Sequence, residues 1–431
     1  MRQLTLLALA ALLLVPSPVL ADLDIVVTKG YDTKTKIAIV PFFWAENSAL
    51  PERIESIMTN NMVRTGRFDI LPAAQMLSQP SVEEGVFYRD WQLLGQEYLV
   101  IGHLKPYAEN KIEAQVALYD VVKKRRVVRV TQIVGQYQLR EFAHSLSDLF
   151  YERITGVRGI FSTRVAFVTR KALAADLYDY RLQVADADGQ RARTVYKSGE
   201  PIISVAWSHD GQKLAFANKI GDRWKIIIQD LKSGKVNSIS DARGYTSSPA
   251  FSADGRYLAY VSSNKNSPEI YIYDFQTGKS ERLTRNTYID TEPSFSPDSK
   301  YLVFTSEKGG NPQIYRYDLA TKQAERLTFE GQQNLRARYS SNGKYLVFVH
   351  LKGGRFHIAS MDMASRDIRV LTATNLDESP SIAPNGSMLV YATQRGGQGV
   401  LAWVSLDGQV TNQMTSDFGD VLEPAWSPYL N

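Results

Sequence analysis

Asp290-Thr291-Glu292, Asp377-Glu378 and the pair Asp420 and Glu423 are acidic groups at or just ahead of related stretches: DTEPSFSPDSKYLVF (290–304), LDESPSIAPNGSMLVY (376–391) and EPAWSPYLN (423–431). Carboxylates gathered in this way can share a proton for acid–base work, hold a cation, or accept charge-assisted hydrogen bonds from a partner. A further copy, YTSSPAFSADGRYLAY (245–260), keeps the motif without the acids. The acids are therefore an addition to the repeat and not a requirement of it.

Catalysis would need more than carboxylates. The five histidines, His103, His144, His209, His350 and His357, are scattered, and His357 lies in RFHIASMD, a stretch that alternates like a strand. No Gly-x-Ser-x-Gly elbow, phosphate-binding loop or His-Glu-x-x-His helix occurs. Asp186-x-Asp188-Gly189 resembles the start of a calcium loop, but no bidentate glutamate follows, and sister repeats place the turns 230–234 and 274–278 there. The basic run 123–126 reads as a solvated hairpin tip. These absences favour recognition over chemistry, with no cofactor and no metal. The competing readings are a hydrolase or lyase using the acidic positions, which on the repeat and export signal given below would be a secreted propeller enzyme, and a scaffold without a specific partner. The first lacks a histidine among those positions, and the second leaves the clustering of acids unexplained.

The elements that must position the acids follow from an internal repeat. Trp207, Phe251, Phe295, Tyr339, Ile382 and Trp426 fall into register with spacings of 44, 44, 44, 43 and 44 residues. Such a period suits a β-propeller of four short strands per blade. In one unit, 294–296 is strand A, 301–305 strand B, 313–318 strand C and 325–328 strand D, with Asp-Gly or Asn-Gly turns in most sisters. The first strand-B copy (164–171) has no strand A before it, and the last strand A (423–427) has nothing after it. The two halves complete one blade, giving six blades closed by the C-terminal strand. Three residues before each anchor stand Ser204, Ser248, Glu292, Arg336, Ser379 and Glu423. These are expected to ring one mouth of the channel, on loops entering strand A, with Asp290, Asp377, Glu378 and Asp420 beside them.

Ahead of the repeat the texture changes. Strands are expected at 36–43, 98–103, 112–120 and 127–137, and helices at 51–64 and 139–155, a small α/β domain. The predicted fold is thus an N-terminal α/β domain (35–160) followed by a six-bladed propeller (161–431). Residues 22–34 form an extended leader, with Leu23, Ile25 and Val27 alternating. Arg2, the apolar run 4–15 and Val19-Leu20-Ala21 read as an export signal over 1–21, cleaved between Ala21 and Asp22. With no cysteine there is neither a disulfide nor a lipid-modified N-terminus. The charge of +5, from 50 basic and 45 acidic residues, forms no stripe, so no nucleic acid is expected.

The order of IAIVPFFW (37–44), ITGVRGIFSTRVAFV (154–168), LDESPSIAPNG (376–386) and PAWSPYLN (424–431) resembles the TolB family, periplasmic propeller proteins of the Tol–Pal system. The resemblance covers the leader, the α/β domain and all six blades. It implies a non-catalytic role supporting outer-membrane integrity and constriction at division, with contact to the membrane only through a lipoprotein. The family holds the lipoprotein Pal at one propeller mouth in competition with peptidoglycan, and its leader binds the C-terminal domain of TolA. Other outer-membrane proteins and colicin-like peptides are further candidate partners. The family's Pal-binding positions fall on Tyr245, Ser248, Thr291 and Glu292. Tyr245 stands where a histidine is frequent, and Ser248 where an alanine is frequent. Asp290, Arg336, Asp377, Glu378 and Glu423 extend that expected surface. The TolA-binding leader maps to Asp22, Leu23, Asp24, Ile25, Val26, Val27 and Thr28 within residues 22–32.

Overall fold

Residues 24–29, 33–46, 48–239, 245–263, 267–415 and 419–430 are described by a computed structural model. The expected signal peptide, its cleavage point at Ala21 and Asp22, and Leu23 lie outside the described residues.

Six antiparallel blades surround a channel. Strands A of blades 2 to 6 are Ile202–Trp207, Tyr245–Phe251, Asp290–Phe295, Gln333–Tyr339 and Glu378–Ile382. Blade 1 joins Arg164–Ala174, Leu177–Asp186 and Arg193–Ser198 to the C-terminal strand Asp420–Trp426, which pairs with Arg164–Ala174. This is the closure that the repeat count requires.

Each blade is held by the same local chemistry. Strands B, such as Tyr301–Ser306, are almost continuously buried, because neighbouring blades cover both faces. The A–B turns are fixed by a Ser-x-Asp or Ser-x-Asn device: Ser208 Oγ donates to Asp210 at 2.6 Å, Ser296 Oγ to Asp298 at 2.6 Å, and Ser340 Oγ to Asn342 at 2.8 Å. The next turn residue is left-handed. It is glycine in four blades, while blade 4 has Ser299 at φ 58°. The C–D segment is tied by a threonine after strand D. Thr284, Thr328 and Thr372 each accept a backbone N–H at 3.0 Å, from Ile270, Ile314 and Ile358.

Strand A begins earlier than the sequence suggests. In blade 4 it starts at Asp290, and Asp290 and Thr291 pair with Ser306 and Thr305. A register shift then falls between Thr291 and Ser294, and the same shift occurs in strand A of all six blades. The bulged residues are Ser204, Ser248, Glu292, Arg336, Ser379 and Glu423, every one with φ between 51° and 59°. Asp290, Thr291 and Glu292 therefore belong to a bulged strand and not to the loop preceding it. A bulge lets pairing continue while one residue is turned out of the ladder.

The N-terminal domain has a sheet ordered Phe68–Ile70, Thr35–Ile39, Tyr98–Ala108, Lys111–Asp120, Arg125–Gly135. Helices α1 (Ile54–Arg64) and α3 (Leu139–Thr155) pack on one face through Met58, Met62, Phe142, Leu146 and Phe150. Gly156 ends α3 at φ 75°, its N–H donating to Glu152 O at 2.8 Å. A short helix α2 (Tyr88–Leu93) places Trp91 against the other face.

Leader and domain are joined to the propeller at several places. The leader strand Asp24–Lys29 pairs antiparallel with Thr411–Thr415 and so becomes a fifth strand on the outer edge of blade 6. Asn412 on that edge donates to Arg64 O at 2.8 Å. Where α3 meets blade 1, Arg140 of α3 bridges Glu52 (2.9 Å) and Asp188 (2.5 Å), while Arg191 bridges Asp186 (2.8 Å) and Glu141 (2.6 Å).

Candidate binding site at the propeller mouth

The bulge ring lies where strands A enter, on the side of the propeller that carries the D–A loops and the B–C hairpins. In it a carboxylate of one blade reaches the bulged amide of the next. Glu423 of blade 1 accepts from Ser204 N of blade 2 at 3.0 Å, and Glu292 of blade 4 accepts from Arg336 N of blade 5 at 2.9 Å. Glu292 also takes Thr305 Oγ1 at 2.8 Å and Arg336 Nε at 2.8 Å. The Arg336 guanidinium continues to Ser379 Oγ and lies 3.5 Å from Glu423. Burial opposes its charge, but Glu423, Glu292 and Glu378 outweigh that and hold its pKa above the ordinary arginine value. For Arg338, two residues deeper, burial dominates and lowers the pKa.

The acids named from sequence separate into two groups. The repeat predicts Asp290 and Asp377 at the mouth, yet both are fully buried. Asn286 Nδ2 donates to Asp290 at 2.7 Å, and Asp377 accepts from Thr372 and from Thr393 Oγ1 at 2.7 Å. Burial pushes the Asp290 carboxyl up. Asn334 and Thr246 hold the same repeat position and are equally buried. The position is buried in every blade and apolar in two, as Ile202 and Val421, while Asp290, Asn334 and Asp377 use it as an internal polar tie.

Glu292 and Glu423 are partly buried at the mouth and committed to the ring. Asp420 is tied by Arg170 Nε at 3.0 Å and Gly399 N at 2.9 Å, and these contacts overcome desolvation to lower its pKa. Glu378 is the remaining acid. It is exposed at the lip, with no hydrogen bond or salt bridge among the described residues. Partial desolvation raises its pKa, Arg336 opposes, and Glu423 and Glu292 raise it further.

Around this ring the mouth-side loops expose large apolar side chains: Leu173, Ile220, Tyr288, Ile289, Phe329 and Leu376. Tyr245 joins them, half exposed and edge-on to Trp224 at 5.6 Å. Ser248 is turned into the ring, its Oγ 3.3 Å from that of Ser247, and Thr291 is partly buried beside Glu292. Large exposed apolar side chains gathered on one face mark a protein-interaction surface, and here they surround a charged centre.

This arrangement of leader, α/β domain and six closed blades is matched closely elsewhere. The family described as "TolB amino-terminal domain" matches residues 23–127, and "TolB beta propeller domain" matches residues 151–430. The chain belongs to the TolB family. A Tol-Pal system protein TolB of Marinomonas sp. (strain MWYL1) is 61% identical over 412 residues, 95% of each chain. One from Hahella chejuensis is 57% identical over 422 residues, 97% of this chain and 98% of the relative. The crystal structure of TolB from Acinetobacter baumannii superposes with a TM-score of 0.87 at 37% identity, covering 94% of this chain and all of that one.

Two features of this TolB-family chain bear on the enzymatic alternative. His350 is buried, its Nδ1 2.8 Å from Asn334 Oδ1, and does not enter the channel ring. Among the described residues, the one group of metal-ligating spacing is His144, Asp186 and Asp188. It lies at the domain junction, where Arg140 and Arg191 already compensate the acids. Its role in joining the domains was not apparent from the sequence. The available signal was the second acid, Asp188, which the corresponding turns at 230–234 and 274–278 lack.

Proposed function

We propose that this chain is a non-catalytic interaction protein of the Gram-negative periplasm, exported by its N-terminal segment. The propeller mouth binds the lipoprotein Pal in competition with peptidoglycan, and the leader binds the C-terminal domain of TolA. Through these two contacts it supports outer-membrane integrity and constriction during division. The observation behind the first contact is the bulge ring, a preorganised charged centre within an exposed apolar rim. Rigid surfaces of this kind bind with little reorganisation. The Pal surface comprises Tyr245, Ser248, Thr291, Glu292, Arg336, Glu378 and Glu423, and omits the buried Asp290 and Asp377. The second contact is supported by Asp24, Ile25, Val26, Val27 and Thr28 already forming a strand on a sheet edge, a geometry transferable to a partner's edge. Among the described residues no helix is long and apolar enough to cross a membrane.

The test is capture from an envelope extract by the immobilised mature chain. Pal and TolA should both be retained, and Pal capture should fall as soluble peptidoglycan fragments are added. Retention of neither partner would overturn the reading.

A further inference from the structure

Beside the ring, between blades 5, 6 and 1, lies a cavity of about 360 Å³. Leu335, Val349, Phe356, Leu376 and Leu422 form its apolar walls, and Glu378 stands at its edge. The other charged groups at its rim are already engaged: Arg336 by Glu292 and Glu423, and Asp420 by Arg170. What is left over is one carboxylate above an apolar slot. An anion would face Glu292, Glu378 and Glu423, with the nearest guanidinium already bound. A purely apolar side chain would leave Glu378 partly desolvated and unpaired. A long cationic side chain meets both demands, since its methylene stem is apolar and its head is charged.

We propose that this cavity receives a single lysine or arginine side chain of the partner held at the mouth, its stem along Phe356 and Leu376 and its head on Glu378. The inference rests on the reading that the mouth binds Pal, and it adds the chemistry by which the partner is selected. A cation placed here completes the charge balance of the ring. A partner with an acidic residue at that point is rejected by repulsion.

The experiment is titration calorimetry of the mature chain with the soluble domain of Pal, at low and at high salt. Glu378→Gln keeps the shape and removes the charge. It should weaken binding at least tenfold at low salt, with a smaller loss at high salt, and leave the melting temperature unchanged. Leu376→Ala, at an exposed position, should weaken binding as well. Combining Glu378→Gln with alanine replacements of each exposed Lys and Arg of Pal should reveal one residue whose loss is no longer felt once the charge is gone. Wild-type affinity for Glu378→Gln at low salt overturns the inference alone, as does the absence of any coupled basic residue. Failure of the unaltered chain to bind Pal overturns both this inference and the reading beneath it.

Discussion

At position 292 backbone and side chain perform separate tasks. The backbone supplies a left-handed bulge that glutamate adopts at some cost, and the carboxylate closes onto the amide of the next bulge. Glu292→Ala removes three hydrogen-bond acceptances and leaves Arg336 with Glu423 at 3.5 Å as its remaining carboxylate. Both side chains reach solvent in part, so the expected loss of stability is about 1–3 kcal/mol, measurable by denaturant titration. With Thr291→Ile added, Pal affinity should fall by at least about 1.4 kcal/mol, or tenfold, in calorimetry, while the fold persists. A second residue sets a pH dependence. His144 is buried with its Nδ1 3.0 Å from Asn61 Nδ2, so Nδ1 accepts and the ring is neutral. Burial, despite the pull of Asp188, and aided by Arg64, Arg140 and Arg191, brings its pKa down from 6.5 to about 4. Below 6.5 the unfolded chain takes up a proton that the folded chain refuses, so stability falls as pH drops towards 4. The part due to His144 is about 3 kcal/mol. Asp186, whose carboxyl burial raises from 3.8, works in the opposite sense, adding stability as pH falls towards that value. Subtracting the pH profile of His144→Gln from that of the unaltered chain should isolate the histidine contribution.

Among elements, the bulged strand A and the leader strand matter most for function. The bulge recurs in six blades with different residues, so it belongs to the architecture, and only its side chains vary to make the mouth. The leader pairs through its backbone with an outer edge, with register from Asp24 on Thr415 to Lys29 on Thr411. Removing residues 22–32 leaves that edge open. Amides of 411–415 should then exchange faster with deuterium while the inner strands of blade 6 stay protected. TolA capture should be lost and Pal capture kept. Retained capture of TolA by the truncated chain would count against the leader as its binding site. Because Asn412 also donates to Arg64 O, loosening of this edge should reach the end of α1 as well.

For the whole molecule, closure is the decisive feature. The C-terminal strand supplies Trp426 to the core between blades 1 and 6, with its Nε1 donating to Thr163 Oγ1 at 2.8 Å. Ending the chain at residue 419 removes a whole inner strand and should cost at least about 5 kcal/mol from lost pairing and aromatic burial. That is comparable with the total stability of many domains. Calorimetry should show the propeller transition lost or far lower, not merely broadened at one blade.

The sequence by itself determined the propeller, its six blades, its closure and the preceding α/β domain. Those features repeat or alternate along the chain, and each copy reports the same local rule. It also located the six ring positions, because a fixed offset from a packed aromatic fixes a place in the blade. Only the tertiary structure decided which acids face the mouth. Asp290 and Glu292 are two residues apart and equally charged, but the bulge between Thr291 and Ser294 turns one inward to an internal tie and the other out to the ring. The junction of His144, Arg140, Asp186 and Asp188 was hidden for the same reason. Its members lie on separate elements, and their meeting depends on how two domains pack, which no local spacing records.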